Sequence, residues 1–168
     1  MRNFSGVILV SLFLFTGGLS AQTLKFGHID VQQLVSAMPE KEVAQKAYTK
    51  AGADMEAQLT TMQKDLSEKS KAYMAQLKTF TDAVRTVKEE EIQSLNQRIQ
   101  TFQQQAQENL QKEEAKLFQP IMDKARKAIS EVGKEQGLLY VFEVNGLLYH
   151  SDQSTELLPL VKAKLGIK

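Results

Sequence analysis

The chain has 168 residues, a length that suits one domain or one domain with an extended element. It contains no cysteine, which excludes disulfide bonds, thiolate metal sites, thiol nucleophiles and a cysteine-linked lipid anchor. Its 21 Lys+Arg and 20 Asp+Glu residues nearly cancel, so no overall charge would draw the chain to nucleic acid or anionic lipid.

Residues 1–21 have the pattern of an export signal peptide. Arg2 supplies a short positive region, residues 7–15 form an apolar stretch broken only by Ser11, and small residues follow. The stretch is shorter than the ~20 apolar residues that span a bilayer. We predict export to the periplasm with cleavage near Ala21; cleavage after Ser20 and an uncleaved anchor or buried helix are the alternatives. Removing Arg2 leaves 20 basic against 20 acidic residues, so the mature chain is formally neutral.

The segment after the predicted signal peptide indicates a strand and a short helix. Residues 24–31 alternate with a period near two, which predicts a β-strand. Asp30 and Gln33 form an Asp-x-x-Gln pattern, in which the aspartate caps a helix that reaches Met38 and the glutamine returns a hydrogen bond. Pro39 suits the first position of the next helix, because its missing N–H would be unpaired there.

Residues 39–136 consist mostly of strong helix-forming residues. Apolar residues recur at alternating steps of three and four, as in the seam of a coiled coil. The first series is Met55, Leu59, Met62, Leu66, Tyr73, Leu77, Phe80, Val84 and Val87, and the second is Ile92, Leu95, Ile99, Phe102, Ala106, Leu110, Leu117, Ile121, Ala125 and Ile129. Lys69, Ser70 and Glu113 interrupt these series, as expected where helices splay or change register.

An antiparallel hairpin accounts for the two series better than one continuous helix, which is the alternative. Thr86 and Glu89 have the spacing of a capping box, and Thr81-Asp82 precedes them. A turn at 81–87 would lie near the midpoint of 39–136. It would give two arms of nearly equal length, each about 65–70 Å long, whose apolar stripes pack together.

The composition changes after Gly137 and indicates β-structure. Residues 138–144 are apolar and rich in β-formers, and Asn145-Gly146 before 147–150 predicts a β-hairpin. A last helix follows at 159–165. Pairing the first strand with this hairpin gives an α+β, mainly α fold: a long antiparallel coiled-coil hairpin that projects from a small β-sheet body. Because three strands form a thin core, self-association would bury the exposed faces and edges of the sheet.

The sequence lacks the common catalytic and phosphate-binding motifs, so we predict no enzyme, cofactor or metal site. His28 and His150 lie on predicted strands and would meet if those strands are neighbours. A structural role explains them better than metal binding, because no carboxylate stands at ligand spacing beside either.

Apolar residues off the seam indicate a binding surface instead. Met74, Phe118 and Met122 fall one residue beyond seam positions, where they would face another subunit or a binding partner. The tip gathers an apolar and basic cluster: Phe80, Val84, Val87, Lys78, Arg85 and Lys88. Core packing of the methionines and simple packing at the tip are the alternatives. The Gln-rich segment 103–111 is interpreted as an uncharged, solvated helix face.

The order of these elements resembles the OmpH/Skp family of periplasmic chaperones. The resemblance covers essentially the whole mature chain and includes the segments KFGHIDVQQLVSAMPE, LFQPIMDKARKAISEV and LPLVKAKLGI. It implies a homotrimer in which a β-rich trimerisation body, 22–38 and 137–168, carries three arms, 39–136, around a cavity. Pro120 would lie where the arm bends towards the body.

The resemblance implies a function in binding unfolded proteins. A member of this family would be an ATP-independent holdase that takes unfolded outer-membrane β-barrel proteins into its cavity. Some members are strongly basic, whereas this mature chain is neutral, so contact with membrane or lipopolysaccharide is not expected. The alternative is a structural or scaffolding coiled coil of the cell envelope that binds a folded partner.

Overall fold

The computed structural model describes residues 24–167, and the predicted signal peptide lies outside them. The elements are β1 (Phe26–Ile29), α1 (Val31–Ala37), α2 (Pro39–Gln76), α3 (Asp82–Glu135), β2 (Tyr140–Glu143), β3 (Thr155–Glu156) and α4 (Leu158–Lys164). The predicted fold class, mainly helical with one small sheet, is confirmed. Across the described residues, no helix combines the length and apolarity that crossing a membrane requires.

The first strand, the cap and the start of the long hairpin lie where the sequence predicts them. The Asp30 side chain accepts a hydrogen bond from the Gln33 backbone N–H at 2.7 Å and caps α1. Met38 is buried with an extended backbone that separates α1 from α2. Pro39 then begins α2, as its fixed backbone angle and missing N–H favour.

Helices α2 and α3 form an antiparallel hairpin whose apolar stripes meet in a seam. On α3, Leu95, Ile99, Ile121 and Ala125 are buried, and the other seam residues of both helices are mostly half-buried. Val84 and Val87 are the exceptions, with 42% and 61% of their surface exposed. They lie on the first two turns of α3 rather than at the end of the first arm.

The turn lies earlier than predicted. Helix α2 ends at Gln76 and α3 begins at Asp82, so residues 77–81 connect them rather than 81–87. The Thr81 hydroxyl accepts a hydrogen bond from the Val84 N–H at 3.4 Å and caps α3 five residues before the predicted capping box. Thr86 instead donates to the Asp82 carbonyl at 3.1 Å, within the helix.

The two arms are also less equal than predicted. Helix α2 has 38 residues and α3 has 54, which corresponds to about 57 Å and 81 Å at 1.5 Å per residue. The difference arises because α3 continues beyond the start of α2. Its last turns, from Ile121 to Val132, supply four buried residues to the core beside the sheet.

The sheet has the order β2-β1-β3, and both outer strands are parallel to β1. The first strand therefore pairs with the C-terminal segment as predicted, but the predicted β-hairpin is wrong. Val144–Gly146 forms a 3₁₀ turn, and among the described residues positive φ occurs only at Gly137 and Gly166. The primed turn favoured by Asn-Gly needs positive φ at both central residues, and residues 147–150 form no strand.

The hydrophobic core lies on one face of this sheet, at the base of the hairpin. Ile29 and Leu157 from the strand side pack with Leu34 of α1, Val132 of α3 and Val161 of α4. Lys164 of α4 forms ion pairs with two glutamates of α3, Glu131 at 3.2 Å and Glu135 at 2.5 Å. The core therefore joins residues from both ends of the sequence to the basal third of α3.

Candidate functional site

The tip of the hairpin brings together part of the predicted binding cluster. Phe80 stacks on Tyr73 with ring centroids 6.0 Å apart and lines, together with Lys88, a groove of about 250 Å³. Met74 has 68% of its surface exposed, and Val84 and Val87 lie three residues apart on α3, also exposed. The tip therefore presents several apolar side chains to solvent. A cluster of exposed apolar side chains is a common feature of binding surfaces.

The predicted basic residues of the tip are partly neutralised. An Arg85 guanidinium nitrogen lies 3.6 Å from an Asp82 carboxylate oxygen, and Lys88 Nζ lies 3.1 Å from Glu91. Lys78 is exposed in the turn. The tip is thus a mixed surface of exposed apolar side chains and partly neutralised basic ones.

Phe118 and Met122 lie far from the tip. Phe118 is half-buried against the core, with its ring edge-on to Tyr48 of α2 at 6.3 Å between centroids. Met122, one turn further, is also half-buried. From Val84 to Phe118 the distance along α3 is about 50 Å at 1.5 Å per residue. The six predicted apolar residues therefore form two separate groups, one at the tip and one at the base.

A polar cluster near the tip occupies the interruption in the apolar seam. Lys69 Nζ of α2 lies 2.5 Å from a Glu91 carboxylate oxygen of α3, and the Tyr73 hydroxyl donates a hydrogen bond to Glu89. The hydrogen bond with Glu91 raises the pKa of Lys69, and hydrogen bonds from Lys69 and Lys88 lower the pKa of Glu91. In the sequence, Lys69 interrupts the apolar series. In the structure, its ion pair with Glu91 links α2 to α3 and favours one alignment of the two helices.

We expect replacement of Glu91 by glutamine to lower the thermal unfolding midpoint at neutral pH. The folded-state pKa of Glu91 is below its ordinary value of 4.5, so its contribution is present above that pH and is lost as the carboxylate is protonated on acidification. The difference in midpoint between wild type and Glu91→Gln should therefore shrink as the pH falls below about 4.5. Circular dichroism melts from pH 7 to pH 3 measure it, and a constant difference across that range would contradict the assignment.

The second face of the sheet, opposite the core, carries three aromatic rings. Phe26 pairs in register with Tyr140, and its neighbour on the same face, His28, pairs with Phe142. The ring centroids of Phe26, Tyr140 and Phe142 lie 5.9 to 6.3 Å apart. Their exposed fractions are 38%, 59% and 42%, so this aromatic sheet face is an open apolar surface.

Sequence reasoning did not place these aromatic residues in a site, although it expected exposed sheet faces. The alternation of side chains along a strand could have indicated this face. Residues 26 and 28 lie on one face of β1, and residues 140 and 142 lie on the matching face of β2. The prediction of a hairpin obscured it, since antiparallel pairing would have given a different set of neighbours.

The loop after β2 covers part of the aromatic sheet face. His150 stacks on His28 with ring centroids 4.0 Å apart, and His28 Nδ1 is hydrogen-bonded to the Ser154 hydroxyl at 2.9 Å. The two histidines meet as predicted, but His150 lies in a loop rather than on a strand.

A groove of about 380 Å³ beside the two histidines is lined by Phe26, Phe142 and Tyr149, among others. Residues 24–167 contain no group of three or more residues that could hold a metal ion.

A second apolar groove lies at the base of the hairpin. It has a volume of about 390 Å³ and is lined by Val43 and Ala47 of α2 and by Leu117 and Pro120 of α3. An ion pair between Glu40 and Lys124 crosses its rim and lowers the pKa of Glu40. The groove lies next to Phe118 and Met122 in sequence, at the end of the hairpin nearest the body.

Comparison with known proteins finds a family model and solved structures that match this arrangement. The family model described as outer membrane protein (OmpH-like) matches residues 25–165. A crystal structure of a candidate outer membrane chaperone (OmpH-like) from Caulobacter crescentus CB15 superimposes with a TM-score of 0.74 and 15% sequence identity. The match covers 90% of this chain and 89% of that chain, and at this identity it concerns the fold. No curated protein matches this chain.

Proposed function

Because this chain belongs to the OmpH-like outer membrane protein family, we propose that it is a periplasmic chaperone of that family. It holds unfolded outer-membrane β-barrel proteins without ATP and prevents their aggregation. The observation that carries the proposal is the agreement of the family match over 25–165 with a long helical hairpin on a small sheet. The activity is binding rather than catalysis, and it takes place after export and removal of the signal peptide.

Three copies assemble through the body in this proposal. The aromatic sheet face is an exposed apolar surface, and β2 and β3 are edge strands whose outer backbone groups pair with no other strand among residues 24–167. Burying such a surface and such edges between copies is the usual way for a thin core to gain stability. The body consists of 22–38 and 137–168, and the arm of 39–136, with the basal turns of α3 anchoring it.

The arms enclose the client between them. The tip residues Met74, Phe80, Val84 and Val87 supply apolar contacts, with Lys78, Arg85 and Lys88 beside them, and Phe118 and Met122 supply contacts at the base. Each contact is weak, because these side chains are spread along the helices and Phe80, Phe118 and Met122 are half-buried. Three arms on one body raise the effective concentration of these contacts, so the client is held tightly and still exchanges.

Release of the client needs no nucleotide. A holdase that binds only the unfolded form is displaced when the client folds into the membrane, because the folded form lies lower in free energy and has no affinity for the arms. While it is held, the client cannot pair its strand edges with another unfolded copy. Isolation and passive release together account for the activity.

The test is the aggregation of an outer-membrane β-barrel protein diluted from urea. We expect one trimer of this protein per client to suppress light scattering, because the arms bind the unfolded chain. The same barrel folded in detergent should show no binding in a pull-down. Unchanged scattering, combined with binding of the folded barrel, would instead favour a scaffold with a folded partner.

A further inference from the structure

The middle of the hairpin is free of charge on both helices at once. Residues 57–63 of α2 and 99–107 of α3 contain no Asp, Glu, Lys or Arg, although 24% of the chain is charged. Charged residues bound both segments, with Glu56 and Lys64 on α2 and Arg98 and Glu108 on α3. We call the two segments together the uncharged belt.

The structure places the two segments at the same level. Lys69 pairs with Glu91 on the tip side of the belt, and Gly52 lies opposite Leu110 on the body side. Between these contacts α2 advances by 17 residues while α3 goes back by 19, so the numbers of opposed residues add to between 160 and 162. Residues 57–61 therefore lie opposite 99–105, and over that length the charge-free zone surrounds the hairpin rather than lying on one helix.

The belt has an apolar inside and a polar, uncharged outside. Leu59, Met62, Ile99, Phe102 and Ala106 face the seam and are buried or half-buried. The exposed residues are seven glutamines, three threonines and one alanine: Gln58, Gln63, Gln100, Gln103, Gln104, Gln105, Gln107, Thr60, Thr61, Thr101 and Ala57.

Most of the exposed amides have no partner in the protomer. Gln104 lies 3.5 Å from Glu108, and Thr61 donates to the Ala57 carbonyl at 2.9 Å. The other six belt glutamines make no side-chain hydrogen bond to any residue in the described part of the chain. Each presents both an N–H donor and a carbonyl acceptor to solvent.

This chemistry matches the backbone of an unfolded polypeptide. A glutamine side chain ends in the same amide group as a peptide unit, and it can donate to and accept from an extended chain whatever the side chains of that chain are. The absence of charge removes any Coulombic preference for acidic or basic segments. At 1.5 Å per helical residue the belt is about 10–14 Å long, which equals three or four residues of extended chain.

We propose that the uncharged belt is a docking surface for the extended backbone of the client, and that it makes holding independent of client charge. The proposal rests on the proposed function and names the part of the arm that takes the peptide groups. The apolar residues at the tip and base then bind apolar side chains of the client. The belt forms hydrogen bonds with the client backbone that lies between those contacts.

Two triple variants test the proposal: Gln58, Gln100 and Gln105 all changed to Glu, or all changed to Lys. Both should weaken the apparent affinity for a urea-unfolded, eight-stranded outer-membrane barrel by about threefold to tenfold, as the loss of a few modest hydrogen bonds predicts. The matched control carries the same changes at Gln45, Gln93 and Gln111, which are exposed glutamines outside the belt. It should hold the client as wild type does.

The seam is untouched in all of these variants, and circular dichroism melts verify that they fold. If the belt variants hold the client as well as the control does, or if only one sign of charge weakens holding, the belt proposal is overturned while the proposed function stands. If wild type itself does not hold the client, the proposed function fails and the belt proposal falls with it.

A second measurement uses the absence of cysteine from the chain. A photoreactive crosslinker on Gln104→Cys should capture the unfolded barrel more efficiently than one on Gln93→Cys, which lies nearer the tip and outside the belt. Equal capture at both sites would contradict a belt-specific contact. Crosslinks between copies of this chain, in place of crosslinks to the client, would assign the belt to contact between arms and would also overturn the proposal.

Discussion

Replacement of Phe142 by glutamate is expected to leave a folded monomer that no longer holds an unfolded client. The centroid of the Phe142 ring lies within 6.3 Å of those of Phe26 and Tyr140, on the aromatic sheet face, which is turned away from the core. A carboxylate there would be desolvated on assembly without a partner, which costs several kcal/mol. Light scattering should show the mass fall to one third of that of the proposed trimer, and holding should be lost because single arms lack the effective concentration of three.

Met74→Glu is the matched control for this prediction. Met74 has 68% of its surface exposed but lies near the tip of the hairpin, far from the sheet. It should leave the mass unchanged, whatever it does to client binding. A trimer-sized Phe142→Glu variant would show that the copies do not meet through the aromatic sheet face, and would direct attention to the exposed loop residues Leu148 and Tyr149.

The helical hairpin could be predicted from the sequence because its signal is local and repeated. Steps of three and four from Met55 to Ile129 specify a seam, and Pro39 marks where the first helix begins. The predicted position of the turn was wrong because two threonines, Thr81 and Thr86, could each cap the second helix. The structure uses Thr81, and Thr86 bonds to the preceding turn of the helix instead.

The sheet was harder to predict because its pairing is not local. Asn145-Gly146 is a strong turn signal, but β2 and β3 each gain more by pairing with β1, which is more than a hundred residues away. That arrangement buries Leu157 completely on the core face. Local turn preference is worth less than burial of a leucine side chain, which contributes about 1.5–3 kcal/mol.

The candidate site was predicted only in part, for a related reason. Met74 stands out because it falls one residue beyond a seam position, which periodicity reveals. Val84 and Val87 fit the periodic seam, and their exposure follows from the position of the turn at 77–81. The aromatic sheet face depends on the parallel register of Phe26 with Tyr140, which the sequence alone does not determine. Likewise, Lys69 and Glu91 are 22 residues apart in the chain and become an ion pair only once the turn position is known.

Replacement of Gly27 by valine should unfold or severely destabilise the protein, by about 3 kcal/mol or more, because it overpacks a closed core. A Cβ atom at Gly27 would lie 2.4 Å from Leu157 Cδ1, 2.6 Å from Leu138 Cδ1 and 3.2 Å from the Thr155 carbonyl oxygen. The leucine ends could rotate in an open site, but Leu157 is fully buried among core side chains. The Thr155 oxygen is backbone of β3, so relief would require β1 and β3 to separate.

Gly52→Ala, in contrast to Gly27→Val, is expected to stabilise the protein. A Cβ atom at Gly52 would meet only Leu110 Cδ2, at an ordinary contact distance of 4.0 Å, in the middle of α2. That change should raise the free energy of unfolding by about 0.5–1 kcal/mol, since alanine loses less backbone freedom in a helix than glycine does. Urea unfolding followed by circular dichroism measures the stability of both the Gly27→Val and the Gly52→Ala variants. A Gly27→Val midpoint equal to wild type would mean that β1 is not packed between Leu138 and Leu157, and that the parallel sheet on which the aromatic sheet face depends is not formed.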